Sequence, residues 1–294
     1  MKRIILLVSI FCMLFTTNIF ALEWKALHDK SSDLKLSEAL AAVSANPNSL
    51  SDLYVLGLVY FNLHQDKKAE EVFNKIIAID PSIIEAKWGV AEALRRQHNL
   101  KEAEAILNNV IRDSPEFSPA YISLAYVKYL QMDFEQAVRL ALKVIEQGRE
   151  NVDLDNYTLS YTLYAGSKGM IAHYGGPFSK LVNGTAVLPN LRKAEKLKAN
   201  LPGVLFGLGS FYLIAPPFVG GDVDSAEKYL RKAIEVDPLF ADAYVRLAQY
   251  YSIKGDKAKF EEYLSKALRI DPKNELALDF KSGECKFVCV AGKD

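Results

Sequence analysis

The chain has few of the residues, and none of the motifs, that mark a catalytic centre. Its 294 residues include only four histidines and three cysteines, and the histidines are scattered along the chain. The sequence contains no glycine-rich phosphate loop, no H-E-x-x-H and no G-x-S-x-G. We therefore expect a protein that is not an enzyme and that holds neither a metal ion nor a cofactor.

An excess of charge of either sign is also lacking. Lys and Arg number 36, and Asp and Glu number 36. Residues 1–21 contain Lys2, Arg3 and no acid, so the remaining chain has 34 basic against 36 acidic residues, or −2. No basic stretch stands out in it, and nucleic acid is therefore not an expected partner.

Residues 1–21 have the pattern of a secretory signal peptide. A basic start, Met1 to Arg3, precedes the apolar run Ile4 to Phe15, and Ala21 offers a small residue for cleavage. The alternative is an uncleaved anchor, because no charge interrupts Ile4 to Leu22. We expect export to the periplasm, or in the alternative an inner-membrane anchor whose remaining chain faces the periplasm. The membrane would then be contacted only through this segment.

Two cysteines remain after such cleavage, Cys285 and Cys289. In an exported protein a pair this close favours a local disulfide that clips the end of the chain. Two free thiols on one face of a helix are the alternative. A zinc site would need more ligands, and no His or Cys follows nearby.

Five prolines reveal an internal repeat. Pro47, Pro81 and Pro115 are 34 residues apart, and Pro238 and Pro272 have the same spacing. Within one period the apolar and small residues have helical spacing in two blocks, and Asp66 at the start of the second block is a plausible N-cap. The first block contains Leu53, Leu56, Gly57 and Tyr60, and the second contains Ala69, Phe73 and Ile76.

These residues resemble the tetratricopeptide repeat (TPR) family, whose 34-residue pattern is W-x2-L-G-x2-Y…A-x3-F…P. Leu53 stands where the pattern has Trp, and similar matches end at Pro115, Pro238 and Pro272. The resemblance implies an all-α fold, a right-handed superhelical solenoid of helix-turn-helix repeats. The implied organisation is a capping helix in 22–49, repeats 1–3 in 50–149, an irregular repeat in 150–201, repeats 5–6 in 202–272, and a C-terminal cap with the cysteine tail in 273–294.

The resemblance also implies a binding surface, because the first helix of each TPR repeat lines the concave side of the solenoid. We expect a non-enzymatic scaffold that holds a peptide or a segment of another protein in an aromatic groove. The alternative for any of the groove side chains is packing against adjacent helices. The implied groove residues are Tyr54, Phe61, Trp88, Glu92, Arg95, Ile122, Tyr126, Tyr129 and Phe206.

A second hypothesis for function comes from the segment Gly220-Gly221-Asp222…Ala226. This turn into a helix is similar to one in the TPR components of periplasmic TRAP transporters. It implies a small-ligand-binding accessory component of a periplasmic transport system.

The repeat spacing breaks between Pro115 and Pro238, and we predict that residues 175–190 form an inserted loop. This loop contains Phe178, Leu181, Val182 and Val187, which are too many apolar side chains for a freely solvated segment. We expect it to fold back over the concave wall near Tyr126 and Tyr129 as a lid. An ordinary surface loop is the alternative.

Overall fold

A computed structural model describes residues 22–289, and its regular structure in this range is entirely helical. The helices form antiparallel pairs that stack in a right-handed superhelix. Their bounds are α1 Trp24–Ser31, α2 Leu36–Ala45, α3 Leu50–Asn62, α4 Asp66–Ile79, α5 Ile84–Arg96, α6 Leu100–Asp113, α7 Ser118–Leu130, α8 Phe134–Gln147, α9 Leu154–Tyr174, α10 Pro177–Gly184, α11 Val187–Leu197, α12 Pro202–Ile214, a 3-10 turn Pro217–Val219, α13 Val223–Val236, α14 Ala241–Ile253, α15 Lys257–Ile270 and α16 Glu275–Ser282.

Within residues 22–289, no helix is both long enough and apolar enough to cross a lipid bilayer. The proposed leader, residues 1–21, lies outside the described range.

The turn between the two helices of a repeat has a recurring backbone conformation. His64, His98 and Met132, each 34 residues after the last, have positive φ angles of 55°, 66° and 64°. The left-handed conformation is uncommon for residues with a side chain, and it reverses the chain after α3, α5 and α7. The second helix of each repeat therefore begins two residues later and returns antiparallel to the first.

Close approach between helices explains the small residues of the repeat. The ring of Phe73 is fully buried between α3 and α5. A Cβ atom on Gly57 would lie 2.6 Å from this ring, and one on Gly89 would lie 2.3 Å from it. Both glycines are therefore needed for the Phe73 ring to fit between α3, the first helix of its own repeat, and α5, the first helix of the next repeat.

The solenoid curves until its two halves touch. His64 Nε2 lies 2.9 Å from a carboxylate oxygen of Asp237. His98 Nε2 lies 3.0 Å from Asp271, and its Nδ1 lies 2.7 Å from Glu275. The two histidines are one repeat apart, and so are the two aspartates, so equivalent turns of successive repeats make equivalent contacts across the superhelix. The concave side is thereby partly closed.

The N-terminal end contains a helix that the sequence did not predict. The expected cap is present as α2, whose Ala39 packs on the first repeat. Helix α1 lies on the concave side, where Trp24 contacts Phe117 with ring centroids 5.2 Å apart. The backbone N–H of Leu154 donates to the Asp29 carboxylate at 3.0 Å. Helix α1 thus fills the N-terminal end of the concave face.

The prediction of an inserted loop at 175–190 was wrong. Pro177 is the first residue of α10, and α11 begins at Val187. Proline at the first helical position keeps its fixed φ without losing a helical hydrogen bond, so the Gly-Gly-Pro sequence starts a helix here. Three of the four apolar side chains expected to be buried are instead exposed, since Phe178, Leu181 and Val182 are 79%, 65% and 51% exposed, whereas Val187 is buried as expected.

Candidate functional site: the central cavity

The concave side forms a partly open cavity of about 1510 Å³. Small-molecule pockets usually have about 300–1,000 Å³, so this cavity exceeds what one drug-sized ligand needs. Its walls come from α5, α7, α9, α12 and α14, with α10 and the 3-10 turn at one side. The cavity therefore lies between the two halves that the His–Asp contacts hold together.

Small residues on α9 and α12 create the space. Gly166 and Gly169 on α9, and Gly203, Gly207 and Ser210 on α12, all line the cavity. A Cβ on Gly166 would have only one neighbour within 4 Å, the Tyr129 ring at 3.9 Å. A larger side chain at Gly166 would extend into the open volume, whereas a Cβ on Gly203 or Gly207 would lie 3.0 or 2.8 Å from the packed side chains of Leu159 and Leu191.

One part of the wall carries a buried polar network. Arg95 donates to both carboxylate oxygens of Glu92, at 2.8 and 2.6 Å. Ser123 Oγ donates to Glu92 at 2.7 Å, and Trp88 Nε1 donates to Ser123 Oγ at 2.9 Å. Burial alone would raise the pKa of the Glu92 carboxyl, but Arg95 and the Ser123 hydrogen bond hold that pKa below its ordinary value. Glu92 is therefore ionised and fixed in place.

Another part of the wall carries a buried arginine, Arg246, without an ion-pair partner in the described part of the chain. Arg246 is 4% exposed, and within residues 22–289 it makes no ion pair with a carboxylate. Its Nε has no hydrogen-bond partner in the described part of the chain. Burial lowers the pKa of Arg246, and it raises the pKa of the nearby Tyr129 to about 12.

Asp242, one turn before Arg246 on α14, has Asn274 as its partner. Asn274 Nδ2 donates to the Asp242 carboxylate at 2.5 Å. Burial raises the pKa of Asp242 despite this hydrogen bond. The Arg246 end of the cavity is consequently a desolvated site whose charges are only partly compensated.

An apolar rim surrounds the opening. Phe218 and Val219 of the 3-10 turn are 88% and 48% exposed, and Leu181 of α10 also faces the cavity. Exposed apolar side chains grouped at an opening are typical of a binding surface. Gly221 shapes this turn, because a Cβ there would lie 1.7 Å from the Ala215 carbonyl oxygen.

The structure divides the groove residues inferred from the repeat pattern into two sets. Those that line the cavity are Glu92, Arg95, Ile122, Tyr126, Tyr129 and Phe206. Tyr54, Phe61 and Trp88 do not line it and are only 0%, 7% and 5% exposed. Their assignment to an open groove is corrected: His28 of α1 packs on Tyr54 and Trp88, and Phe61 packs against Phe73 and under the Arg96 guanidinium.

Sequence reasoning missed Arg246, Asp242 and the small residues of the wall. The glycines had a readable signal, because Gly166 and Gly169 are three apart, Gly203 and Gly207 are four apart, and such spacings share a helix face. Arg246 had no such signal. Its burial depends on residues far along the chain.

The C-terminal residues also contribute to the wall. Cys285 and Cys289 form a disulfide with Cα atoms 5.0 Å apart. The loop they close, residues 285–289, places Phe287 and Val288 in the cavity lining. Within residues 22–289, no group of three or more His, Cys, Asp or Glu side chains is placed to hold a metal ion.

Comparison with known families divides the chain into three matched segments. Residues 53–83 match the tetratricopeptide repeat, and residues 91–159 match the second ARM domain of tetratricopeptide repeat protein 21. Residues 203–280 match the TRAP transporter T-component.

Curated relatives are distant and much longer. Anaphase-promoting complex subunit 3 of Schizosaccharomyces pombe is 25% identical over 209 residues, covering 69% of this chain and 28% of the relative. Human protein O-mannosyl-transferase TMTC3 is 25% identical over 266 residues, covering 76% of this chain and 28% of the relative. The chain thus spans less than a third of the length of these relatives.

Solved structures show the same fold. The APC/C hetero-tetramer Cut9–Hcn1 aligns with a TM-score of 0.57 and 16% identity, over 87% of this chain and 47% of that one. A tetratricopeptide repeat protein from Parabacteroides merdae aligns with a TM-score of 0.53 and 15% identity, over 88% and 97% of the two chains. The 34-residue period, the paired helices and the match of residues 53–83 identify the chain as a solenoid of tetratricopeptide repeats.

Proposed function

We propose that the protein is an exported, non-enzymatic binding protein that holds a short segment of a peptide or partner protein in the central cavity. TPR solenoids serve as scaffolds for protein interaction, and in this chain the concave side is partly closed around a cavity. The observation that carries the proposal is this cavity of about 1510 Å³, which combines an apolar wall with buried hydrogen-bonding groups at both sides.

The shape of the cavity limits the ligand. Contacts of His64 and His98 with the last repeats close one side, and α1 fills the N-terminal end. A long helix laid along an open groove would collide with these elements. A short extended segment, entering past Phe218 and Leu181, fits the remaining space better.

Export rests on two features. Residues 1–21 have the composition of a signal peptide, and the disulfide between Cys285 and Cys289 is of a kind that persists in oxidising compartments. Periplasmic localisation is accordingly part of the proposal, with the inner-membrane anchor as its alternative form.

The second candidate is a small-ligand-binding component of a periplasmic transport system. The match of residues 203–280 to the TRAP transporter T-component favours it, because this segment includes α12, α14 and the 3-10 turn of the cavity wall. The two candidates share the cavity and differ in its occupant.

Filling the cavity tests both candidates. Gly166→Leu places a side chain in the open volume, where a Cβ meets only the Tyr129 ring at 3.9 Å. Lys143→Leu, at an exposed position of α8, is the matched control. Wild type and control should enrich the same sequences from a displayed peptide library, and Gly166→Leu should lose them.

Native mass spectrometry of the wild-type protein distinguishes the second candidate. A bound mass of a few hundred daltons that disappears in Gly166→Leu, without any enriched peptide, would favour a small ligand. Equal peptide enrichment by Gly166→Leu and wild type would contradict binding in the cavity.

A further inference from the structure

The loop 285–289 is held in an unusual manner, through its main chain and by buried side chains. Asp279 on α16 accepts the backbone N–H groups of Lys286 and Phe287, both at 2.8 Å. Arg246 on α14 donates to the backbone carbonyls of Phe287 and Val288, at 2.9 and 2.8 Å. Asp279 and Arg246 are 7% and 4% exposed, so both ends of this arrangement are desolvated.

The Phe287 side chain occupies an apolar pocket beside these groups. Its ring stacks on Tyr129, with centroids 5.9 Å apart and planes 21° apart. Phe134 and Met170 complete the pocket, and Phe287 itself is 6% exposed. These three residues belong to α7–α9, so the loop joins the C-terminal end of the chain to the middle of the solenoid.

Hydrogen bonds to main-chain groups, together with a pocket for one side chain, are the usual elements of peptide recognition. The main-chain bonds give affinity for any extended segment, and the pocket gives specificity. Here an acidic side chain accepts hydrogen bonds from N–H groups, a basic side chain donates to carbonyls, and an aromatic pocket binds a ring. The loop therefore sits in this wall as a bound peptide would.

Two observations distinguish this site from a simple clip for the chain end. Cys285 and Val288 have φ angles of 55° and 60°, and a left-handed conformation is strained for a β-branched residue such as Val. Arg246 Nε is buried beside the cavity and has no hydrogen-bond partner in the described part of the chain. The loop thus leaves one donor of the site, Arg246 Nε, without a hydrogen bond, and it binds in a strained backbone conformation.

We infer that the loop 285–289 is an internal occupant of a peptide subsite formed by Arg246, Asp279 and the Tyr129 pocket. The external ligand is a short segment with an aromatic side chain, which binds there when the loop leaves. The inference rests on the proposed function, because it identifies the part of the cavity that recognises the partner segment.

A synthetic copy of the loop tests this directly. The probe is the oxidised cyclic peptide Cys-Lys-Phe-Val-Cys with blocked ends. The receptor is the full chain with Cys285→Ser, Phe287→Ala and Cys289→Ser, which opens the loop and removes its ring. Isothermal titration should show binding to this variant and at least about tenfold weaker binding to the wild type, whose tethered loop competes at high effective concentration.

Controls assign the binding to the named groups. A cyclic peptide with Ala in place of Phe should bind at least about tenfold more weakly, since it cannot fill the pocket beside Tyr129. Adding Arg246→Lys to the variant should abolish binding, because a lysine cannot reproduce the two-carbonyl contact. Adding Arg139→Lys, at an exposed position of α8, should leave it unchanged. Equal binding to wild type and variant, or none to a folded variant, would overturn the inference.

Hydrogen exchange in the wild-type protein gives an answer even if the variant does not fold. The amide of Phe287 should exchange through local opening, much faster than the core amides of α14. If it exchanges only with global unfolding, the loop is a permanent part of the fold and the inference fails. If Phe287 exchanges only with global unfolding but the wild type still enriches library peptides that Gly166→Leu does not, the proposed function holds and only the subsite is rejected.

Discussion

Trp88 lies in the repeat core, and its truncation should reduce stability more than binding. The side chain is 5% exposed, and Nε1 donates to Ser123 at 2.9 Å. Replacing a buried Trp with Ala costs about 3–5 kcal/mol, the sum of lost burial and a residual cavity. The indole packs against the rings of His28, Tyr54, Phe61, Phe73 and Phe117.

For a chain of this size each kcal/mol lowers the unfolding midpoint by about 2–4 °C, so Trp88→Ala should lower it by about 6–20 °C. Trp88→Phe keeps most of the packing and loses the hydrogen bond to Ser123, which should cost only about 1 kcal/mol. Tyr126 is the contrasting position, because it lines the cavity over the Arg95 guanidinium, 4.8 Å from its ring centroid. Tyr126→Ala should weaken ligand capture with a smaller loss of stability.

Thermal unfolding followed by circular dichroism, together with peptide capture by each variant, measures both effects. Solenoids unfold in segments, so the N-terminal repeats should melt first in Trp88→Ala. An unchanged midpoint for Trp88→Ala, with ligand capture lost, would place the indole on the binding surface and refute its assignment to the core.

Two further predictions concern closure and packing. Hydrogen bonds from His98 to Asp271 and Glu275 raise the pKa of His98 to about 9. The contribution of these contacts to the free energy of unfolding is therefore complete below the ordinary histidine pKa near 6.5, and it disappears as the pH rises through 9. Between pH 7 and 10 the free energy of unfolding of the wild type should therefore fall by about 1–2 kcal/mol more than that of His98→Asn, a variant whose asparagine tolerates the left-handed turn. Equal losses for the two proteins in denaturant titrations would exclude the contact. Gly89→Leu should lower the free energy of unfolding by about 1–3 kcal/mol or more, since a Cβ there would meet the Phe73 ring at 2.3 Å. The control Gly176→Ala, at a position with no neighbour within 4 Å, should melt at the same temperature as the wild type.

The repeat architecture could be predicted because it is local. Leu53, Gly57, Ala69 and Phe73 recur at fixed spacing, and each repeat packs mainly on its neighbours. The period alone therefore indicated the helix pairs and the family. Glu92, Arg95 and Tyr126 could be placed on the first helices for the same reason.

The closure of the cavity could not be predicted, because it depends on contacts between distant residues. His64 and Asp237 are 173 positions apart, and nothing in either local pattern indicates that they meet. Helix α1 has no repeat signature, so its cover over Tyr54 and Trp88 was not foreseen. The same limit applies to Arg246, which donates to the neighbouring Gln249 but also to the carbonyls of residues 287 and 288, about 40 positions away.

The most direct test of the central claim is photo-crosslinking from inside the cavity in living cells. A photoreactive benzoylphenylalanine replaces Phe206, which lines the cavity, and in a matched strain it replaces Leu142, which is 38% exposed on α8. We expect a crosslinked peptide or protein segment from position 206, absent from position 142 and lost when Gly166→Leu fills the cavity. Crosslinks from position 142 alone, or from position 206 regardless of Gly166→Leu, would contradict it.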